Sequence, residues 1–273
     1  MLDIVVVGDR VEFEINTNQT GTISKILERK NYLSRKAPKI KGSSFRGERL
    51  EQIIASNIDQ VLIVASVDEP KFNNRMIDRF LVIAESSAIL PIIIINKYDI
   101  DNPDVDYFEK MYSSIGYQVI KTSVVKEFNL DKVRQVLSDK ISIFWGASGV
   151  GKSSLIKKIF PHFDIKIGDI SSFSNKGKHT TVTSQMLQLS SNSFIIDTPG
   201  VREIDPFGIQ KKDLSHYFIE FQKHRMNCKF NTCSHDHEPN CGVIEAVEKG
   251  EISRERYQSY INILNSVEDD ILF

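Results

Sequence analysis

Two short motifs, and the order in which they occur, constrain this chain more than any other feature of its sequence. Asn96-Lys97-Tyr98-Asp99 closes the apolar run LPIIIINK. Gly146-Ala147-Ser148-Gly149-Val150-Gly151-Lys152-Ser153 comes later, directly after ISIFW and opening the helix-like KSSLIKKIF. The second fits the phosphate loop G-x-x-x-x-G-K-[ST] in the strand–loop–helix setting that this loop requires. The first is the kind of element that selects a guanine base, and it ordinarily follows the phosphate loop. Both must reach one nucleotide, so the fold has to bring them to one sheet edge in the reverse of their usual order. The expectation is an α/β P-loop domain with its two nucleotide motifs in reversed order.

From Gln60 onward the pattern supports such a sheet. VLIVASV and LPIIIINK are uninterrupted apolar runs rich in β-branched residues, with the helically spaced NRMIDRFLVIAE between them. Runs of this kind alternating with helices mark parallel strands covered on both faces. YQVIKTS, ISIFWGAS and SFIIDTPG read as three further strands, each delivering a polar loop at its carboxyl end, where doubly wound sheets bind ligands. Ahead of them VGDRVEFEI alternates Val11, Phe13 and Ile15 with polar and charged residues, as a half-buried strand does, and GTISKI reads as another. Residues 29–49 then turn basic, with Arg29, Lys30, Arg35, Lys36, Lys39, Lys41, Arg46 and Arg49 around Tyr32 and Phe45, and read as a loop or linker. After Pro206 the chain becomes helical and polar.

The nucleotide chemistry can be assigned residue by residue. Backbone N–H groups of Gly146 to Gly151, and of Lys152, Ser153 and Ser154 at the helix start, are expected to close around phosphates, with the helix dipole adding positive potential. Lys152 is expected to reach the β- and γ-phosphates, and Ser153 to ligate Mg²⁺. The Asp99 carboxylate can accept from both N1–H and the exocyclic amine of guanine, whereas adenine would leave it unpaired. Ser123 and the Val124 backbone in KTSVV complete the base side. Asp197, which opens Asp197-Thr198-Pro199-Gly200, is expected to hold Mg²⁺ through water, and the Gly200 N–H to sense the γ-phosphate. KGKHTTVT lies where a first switch belongs, with Thr181, or alternatively Thr180, closing over Mg²⁺. Val201 stands where a water-orienting glutamine is usual and cannot hydrogen-bond, so unaided hydrolysis should be slow. His179 is the nearest titratable candidate for that task in sequence.

A second constellation is unrelated to phosphate. The three cysteines of the chain, Cys228, Cys233 and Cys241, all fall in CKFNTCSHDHEPNC. An odd, clustered set points to metal ligation in a reducing cytoplasm and not to disulfides. With His235, or His237 as the rival fourth ligand, they form a tetrahedral structural Zn²⁺ set. Lys+Arg (35) and Asp+Glu (36) balance to a net charge of −1, so any case for nucleic-acid binding must be local. No apolar run approaches the roughly 20 residues of a membrane span. The opening MLDIVVVGDR, with its acid at position 3, does not read as a signal peptide.

Taken together, VGDRV, NIDQVLIV, FNNRMIDRFLVIAE, NKYD, GASGVGKSSLI, GKHTT, DTPGVRE and CKFNTCSHDHEPNCGV resemble the ribosome small subunit-dependent GTPase A family, a bacterial set of circularly permuted GTPases. The resemblance runs from about Val7 to the region of Tyr257. It implies an N-terminal OB-like β-barrel, complete or incomplete, with the chain opening near the third strand such a barrel needs. It also implies a permuted GTPase domain and a C-terminal zinc domain, with expected bounds 1–55, 56–208 and 209–273. The implied activity is hydrolysis of GTP to GDP, stimulated by the small ribosomal subunit during its late maturation, with subunit rRNA as partner for a cytoplasmic monomer. Asn129 stands at a usual glycine position and Val124 where alanine is common. A different class of function, a GTP-gated RNA-binding module whose hydrolysis only resets it, is separated from the first by turnover with and without small subunits. Opening the GTPase between its Asp-x-x-Gly and Asn-Lys-x-Asp motifs runs DTPGVREIDPFG almost directly into the metal domain, to which a γ-phosphate-driven shift is expected to pass.

Overall fold

The computed structural model describes residues 5–16, 20–36, 51–161, 184–197 and 208–267. Two antiparallel pairs come first: β1 (Val11–Ile15) with β2 (Gly21–Ile26), then β3 (Tyr32–Lys36) with β4 (Glu51–Ser56). The described residues close no barrel. Alternation in β1 does produce a strand, but not a half-buried one. Phe13 is 59% exposed and Ile15 81%, because no described element covers that face. The basic segment is likewise not wholly a linker, since residues 32–36 pair with β4 around the buried Leu33. Residues 37–49, with Lys39, Lys41, Arg46 and Arg49, lie outside the described residues.

These pairs attach near the start of the main sheet. Val7 bridges Ala55, and the Arg29 guanidinium forks onto Asp9 at 2.7 and 2.8 Å while Ser56 Oγ donates to the same carboxylate at 2.6 Å. Asn31 exchanges two 2.8 Å bonds with the backbone of Ile58, just ahead of the next strand. The VGDRV stretch is therefore structural glue.

Among the described residues the main sheet has six strands: β5 (Gln60–Ser66), β6 (Leu90–Asn96), β7 (Gln118–Lys121), β8 (Ile141–Trp145), β9 (Gln185–Ser190) and β10 (Ser193–Asp197). Their order is β7-β6-β5-β8-β10-β9, all parallel except β9, which runs antiparallel to β10. The phosphate-loop strand β8 thus lies at the centre. The strands bearing the base-side motifs are on one flank and the strand ending in Asp197 is on the other. Strand period sorts the side chains into two cores. Val61, Ile63, Ile93, Ile95, Ile143 and Trp145 face α1 (Asn74–Ser86) and α2 (Pro103–Ile115). Leu62, Val64, Ile92, Ile94 and Ile120 face α3 (Leu130–Leu137) and α4 (Lys152–Ile159). Both faces are covered, which is why β5 is buried along its whole length and apolar from Val61 to Ala65.

A third core sits at the carboxyl end of the chain. Two 3₁₀ turns (Leu214–Tyr217 and Ile219–Phe221) precede α5 (Gln222–Arg225), α6 (Gly242–Glu248) and α7 (Arg254–Ser266). They bury Leu214, Phe218, Phe221, Val243 and Tyr260 together with Val82 of α1. Helix α1 is apolar on more than one side because it serves two cores. It starts where Asn73 Oδ1 accepts from Met76 N–H at 3.1 Å, an N-cap that satisfies an otherwise orphan donor.

Candidate nucleotide and metal sites

The reversed motifs meet. Asn96, at the end of β6, donates from Nδ2 to the carbonyl of Val150 in the phosphate loop at 2.9 Å and accepts from Thr122 Oγ1 at 3.1 Å. Its amide therefore joins the phosphate loop to both base-side loops. Gly151 sits beneath it with φ +95°, and a Cβ there would lie 2.3 Å from Asn96 Nδ2. Gly146 is equally confined, its hypothetical Cβ 2.1 Å from the carbonyl oxygen of Val64. The glycines that the motif demands are thus places where backbone is pressed against a neighbouring strand and its loop.

Helix α4 begins at Lys152, straight out of the loop. Lys152 is buried, and its Nζ donates to the carbonyls of Gly146 and Ala147 at 2.8 Å each. Ser148 and Gly149 at the tip are exposed, Ser153 half-buried and Ser154 exposed. On the base side Lys97 adopts φ 60° and its Nζ donates to the carbonyl of Glu69. Ser123 Oγ donates to Asp99 Oδ1, and Lys126 N–H to Ser123 Oγ at 3.0 Å. Asn129 takes φ 55°, the left-handed conformation that a glycine would otherwise supply, and its Nδ2 bonds Lys121 O at 2.9 Å. Asp197 ends β10 at the same sheet edge. Thr180, Thr181, His179, Thr198, Pro199, Gly200 and Val201 lie outside the described residues.

A sequence profile described as RsgA GTPase matches residues 26–207, which include both nucleotide motifs. The chain belongs to the RsgA GTPase family. Among relatives of this RsgA-family chain, the small ribosomal subunit biogenesis GTPase RsgA of Chlorobaculum parvum is 38% identical over 272 residues, spanning 98% of this chain and 86% of the relative. A protein of the same name from Flavobacterium johnsoniae is 40% identical over 272 residues, 97% of this chain and 82% of that one. The crystal structure of YjeQ from Thermotoga maritima superposes with a TM-score of 0.77 at 34% identity, covering 97% of this chain and 85% of that one. YloQ, described as a circularly permuted GTPase, gives 0.74 at 28% identity, covering 100% and 84%. The RsgA-family fold here is thus a circularly permuted GTPase, and its reaction is GTP hydrolysis.

The Cys/His segment also converges. Cys228, Cys233, His235 and Cys241 offer ligand atoms that all lie within 4.8 Å of one another. The Cys228–Cys241 sulfurs are 3.9 Å apart, and His235 Nδ1 lies 3.6 and 3.4 Å from them. A tetrahedron with metal–sulfur bonds of about 2.3 Å and metal–nitrogen bonds of about 2.0 Å has edges of about 3.8 and 3.5 Å. The cluster can hold a metal ion on that geometry. Burial pushes the His235 imidazole down, towards the neutral form that ligates. Burial, with the adjacent thiols, pushes Cys233 up to about 12, and burial pushes Cys241 up as well. His237 stands apart, its side chain 81% exposed with Nδ1 3.3 Å from Asp236.

Several supports were not legible as site residues. Tyr257 and Tyr260 of α7 donate to the carbonyls of His235 and Ser234 at 2.8 and 2.6 Å, holding the metal loop from behind. Glu238 accepts from both the N–H and Oγ of Ser234 at 2.7 Å, and these bonds, outweighing burial, hold its carboxyl at about 2. Their only trace in sequence is two tyrosines spaced i, i+3 on one helix. The loop carrying Glu69, which the Lys97 ammonium reaches, bore no motif at all. No helix among the described residues is long and apolar enough to cross a membrane.

Proposed function

We propose that this chain serves in small ribosomal subunit biogenesis, hydrolysing GTP slowly alone and faster on the subunit. The observation that carries the catalytic half is the Asn96–Val150 hydrogen bond, which couples a guanine-selecting loop to a phosphate loop despite their inverted order. The ribosomal half rests on relatives of that name matched over nearly the whole chain.

In this reading Asp99 accepts from guanine N1–H and its amine, with Ser123 orienting the carboxylate, the Val124 N–H at the base edge and the Lys97 stem alongside it. Phosphates lie against the N–H groups from Gly146 to Ser154, where the N-terminus of α4 adds positive potential. Lys152 moves its ammonium from the loop carbonyls onto β- and γ-phosphate oxygens as charge shifts to the leaving group. Ser153, Asp197 and Thr181 (or Thr180) hold Mg²⁺, which supplies charge neutralisation when bound. Gly200 senses the γ-phosphate. Val201 leaves the attacking water without a side-chain partner, so the subunit or His179 completes its positioning. Zn²⁺ held by Cys228, Cys233, His235 and Cys241 keeps the C-terminal unit folded.

Of the basic residues from Arg29 to Arg49, those other than Arg29, which Asp9 engages, bind rRNA phosphates in this reading, and the chain works as a cytoplasmic monomer. An N-terminal OB-like unit (1–55), the GTPase (56–208) and the zinc unit (209–273) report the nucleotide state together, and GTP favours docking over GDP. Turnover titrated with purified small subunits, large subunits and free RNA tests this. Acceleration by small subunits alone is expected. Turnover indifferent to all three, with GTP-favoured subunit binding retained, would replace catalysis on the subunit with a GTP-gated RNA-binding role.

A further inference from the structure

The third position of Asn-Lys-x-Asp is free in the chemistry of guanine recognition, yet here its side chain is tied to both neighbouring elements. Tyr98 donates from its hydroxyl to Asp106 Oδ1 of α2 at 2.7 Å, and its N–H donates to Thr122 O at 3.0 Å. Lys121 Nζ lies 3.3 Å from the hydroxyl and 4.7 Å from the ring centre. On the same side of the site the ring stacks on Phe128, centroids 6.3 Å apart and planes 21° from parallel.

We propose that Tyr98 is the positioning residue for guanine discrimination, an aromatic staple that fastens the Asn-Lys-x-Asp loop to the Ser123–Phe128 loop and so aims the Asp99 carboxylate. The proposal rests on the reading of Asp99 as the guanine selector. The contacts form a closed circuit. Tyr98 holds Phe128; Phe128 exchanges backbone bonds with Ser123 at 2.9 and 3.2 Å; Ser123 Oγ donates to Asp99, the residue next to Tyr98. Phe128 is 44% exposed, and among the described residues Tyr98 is the ring that stacks on it. The preceding residue needs such a restraint, because Lys97 is a side-chain-bearing residue held at φ 60°, a conformation that persists only where the surroundings fix it. By contrast, the links from the base side to the phosphate end, Asn96 to Val150 and Lys97 to Glu69, do not run through the Tyr98 ring. Loosening the staple should therefore cost base discrimination more than phosphate binding.

The experiment measures affinities of the full chain for GTP, ITP and XTP by displacement of a fluorescent GDP, in Tyr98→Ala, Tyr98→Phe, Phe128→Ala and Asp99→Asn. Inosine lacks the exocyclic amine, so the GTP-over-ITP ratio reads the aim of Asp99. The ratio is expected to fall about tenfold in Tyr98→Ala, the effect of one charge-assisted bond lost from its alignment. It should fall similarly in Phe128→Ala, which tests the stack from its other side should Tyr98→Ala fail to fold, and be largely retained in Tyr98→Phe, which keeps the ring. Asp99→Asn should favour XTP. A wild-type ratio in both alanine variants, with Asp99→Asn still switching to XTP, overturns the staple alone. So does an equal weakening of GTP and ITP, which a merely structural role produces. Asp99→Asn without a switch towards XTP removes the guanine assignment and the proposal with it.

Discussion

Replacing Arg256 by methionine should separate the C-terminal unit from the GTPase. The Arg256 guanidinium is fully buried on α7, with Nη1 2.7 Å from Asp78 Oδ1 of α1 and Nε and Nη2 2.7 and 3.2 Å from the Glu220 carboxylate. Its Cζ lies 4.5 Å from the Phe218 ring centre. Burial works against that charge, but Asp78 and Glu220 outweigh it and keep the group protonated. Asp78 is itself 0% exposed and takes a 2.7 Å bond from Tyr112, whose hydroxyl burial and Asp78 together hold in its protonated form. Methionine fills much of the volume and supplies no charge, leaving two carboxylates without their cation. Removing one partner of a buried pair costs about 3–5 kcal/mol, whereas replacing both with apolar groups is often neutral. With a urea slope of about 3 kcal/mol per molar, the loss is a midpoint shift of about 1 M or more.

Two probes divide the effect between the units. Trp145, the one tryptophan, is buried in β8 and reports the GTPase core, while metal release to a chromogenic chelator reports the C-terminal unit. The metal-release transition should move by the full amount and the tryptophan transition by less. Asp78→Asn should be milder, because Arg256 keeps Glu220, and the Asp78→Asn/Arg256→Met pair should be strongly non-additive. A shift below about 0.3 M in Arg256→Met, or additive losses in the pair, would refute the view that this ion pair is the joint between the two cores.

Gly151→Ala should weaken nucleotide binding about tenfold or more, because its Cβ would displace Asn96 from Val150; Asn96→Ala should do the same, and the two together no worse than the larger. Full additivity in that pair would show that they act separately. The Asp9 carboxyl is held at about 2 against an ordinary 3.8 by its bonds from Arg29, Ser56 and Val6, which overcome burial. A depressed carboxylate contributes stability above its unfolded value and loses it as pH falls from about 4 to about 2. The amount is at most about 2 kcal/mol, less whatever solvent screens at Arg29. Asp9→Asn should abolish that part of the acid dependence, and identical acid unfolding curves would contradict it. Metal analysis of untagged protein should find about one zinc per chain, and stripping it should loosen α5–α7 while sparing nucleotide affinity; protein with no zinc would end the tetrahedral reading.

Local chemistry made the P-loop sequence, the Asn-Lys-x-Asp motif, the doubly wound sheet and the thiol-rich cluster legible in the sequence, because each shows in residue types at short spacing. The reversed motif order even required the permutation, since both loops must reach one ligand. Features set by what lies on a strand's far side were not legible. Alternation in VEFEI says strand, but only the three-dimensional arrangement leaves Phe13 and Ile15 exposed. EQIIAS and QMLQLS carry too little apolar pattern to announce β4 and β9, which owe their strands to their partners β3 and β10. His235 and His237 are equivalent by spacing, and only the turn at His235, with φ 58°, brings one into the cluster and leaves the other in solvent. Asp78 and Arg256 are separated by 178 residues, and each alone reads as an ordinary surface charge. Their burial as a pair exists only once α1 and α7 pack. Charge burial is decided by tertiary contact because a lone charge stays in water unless a distant partner offsets its desolvation.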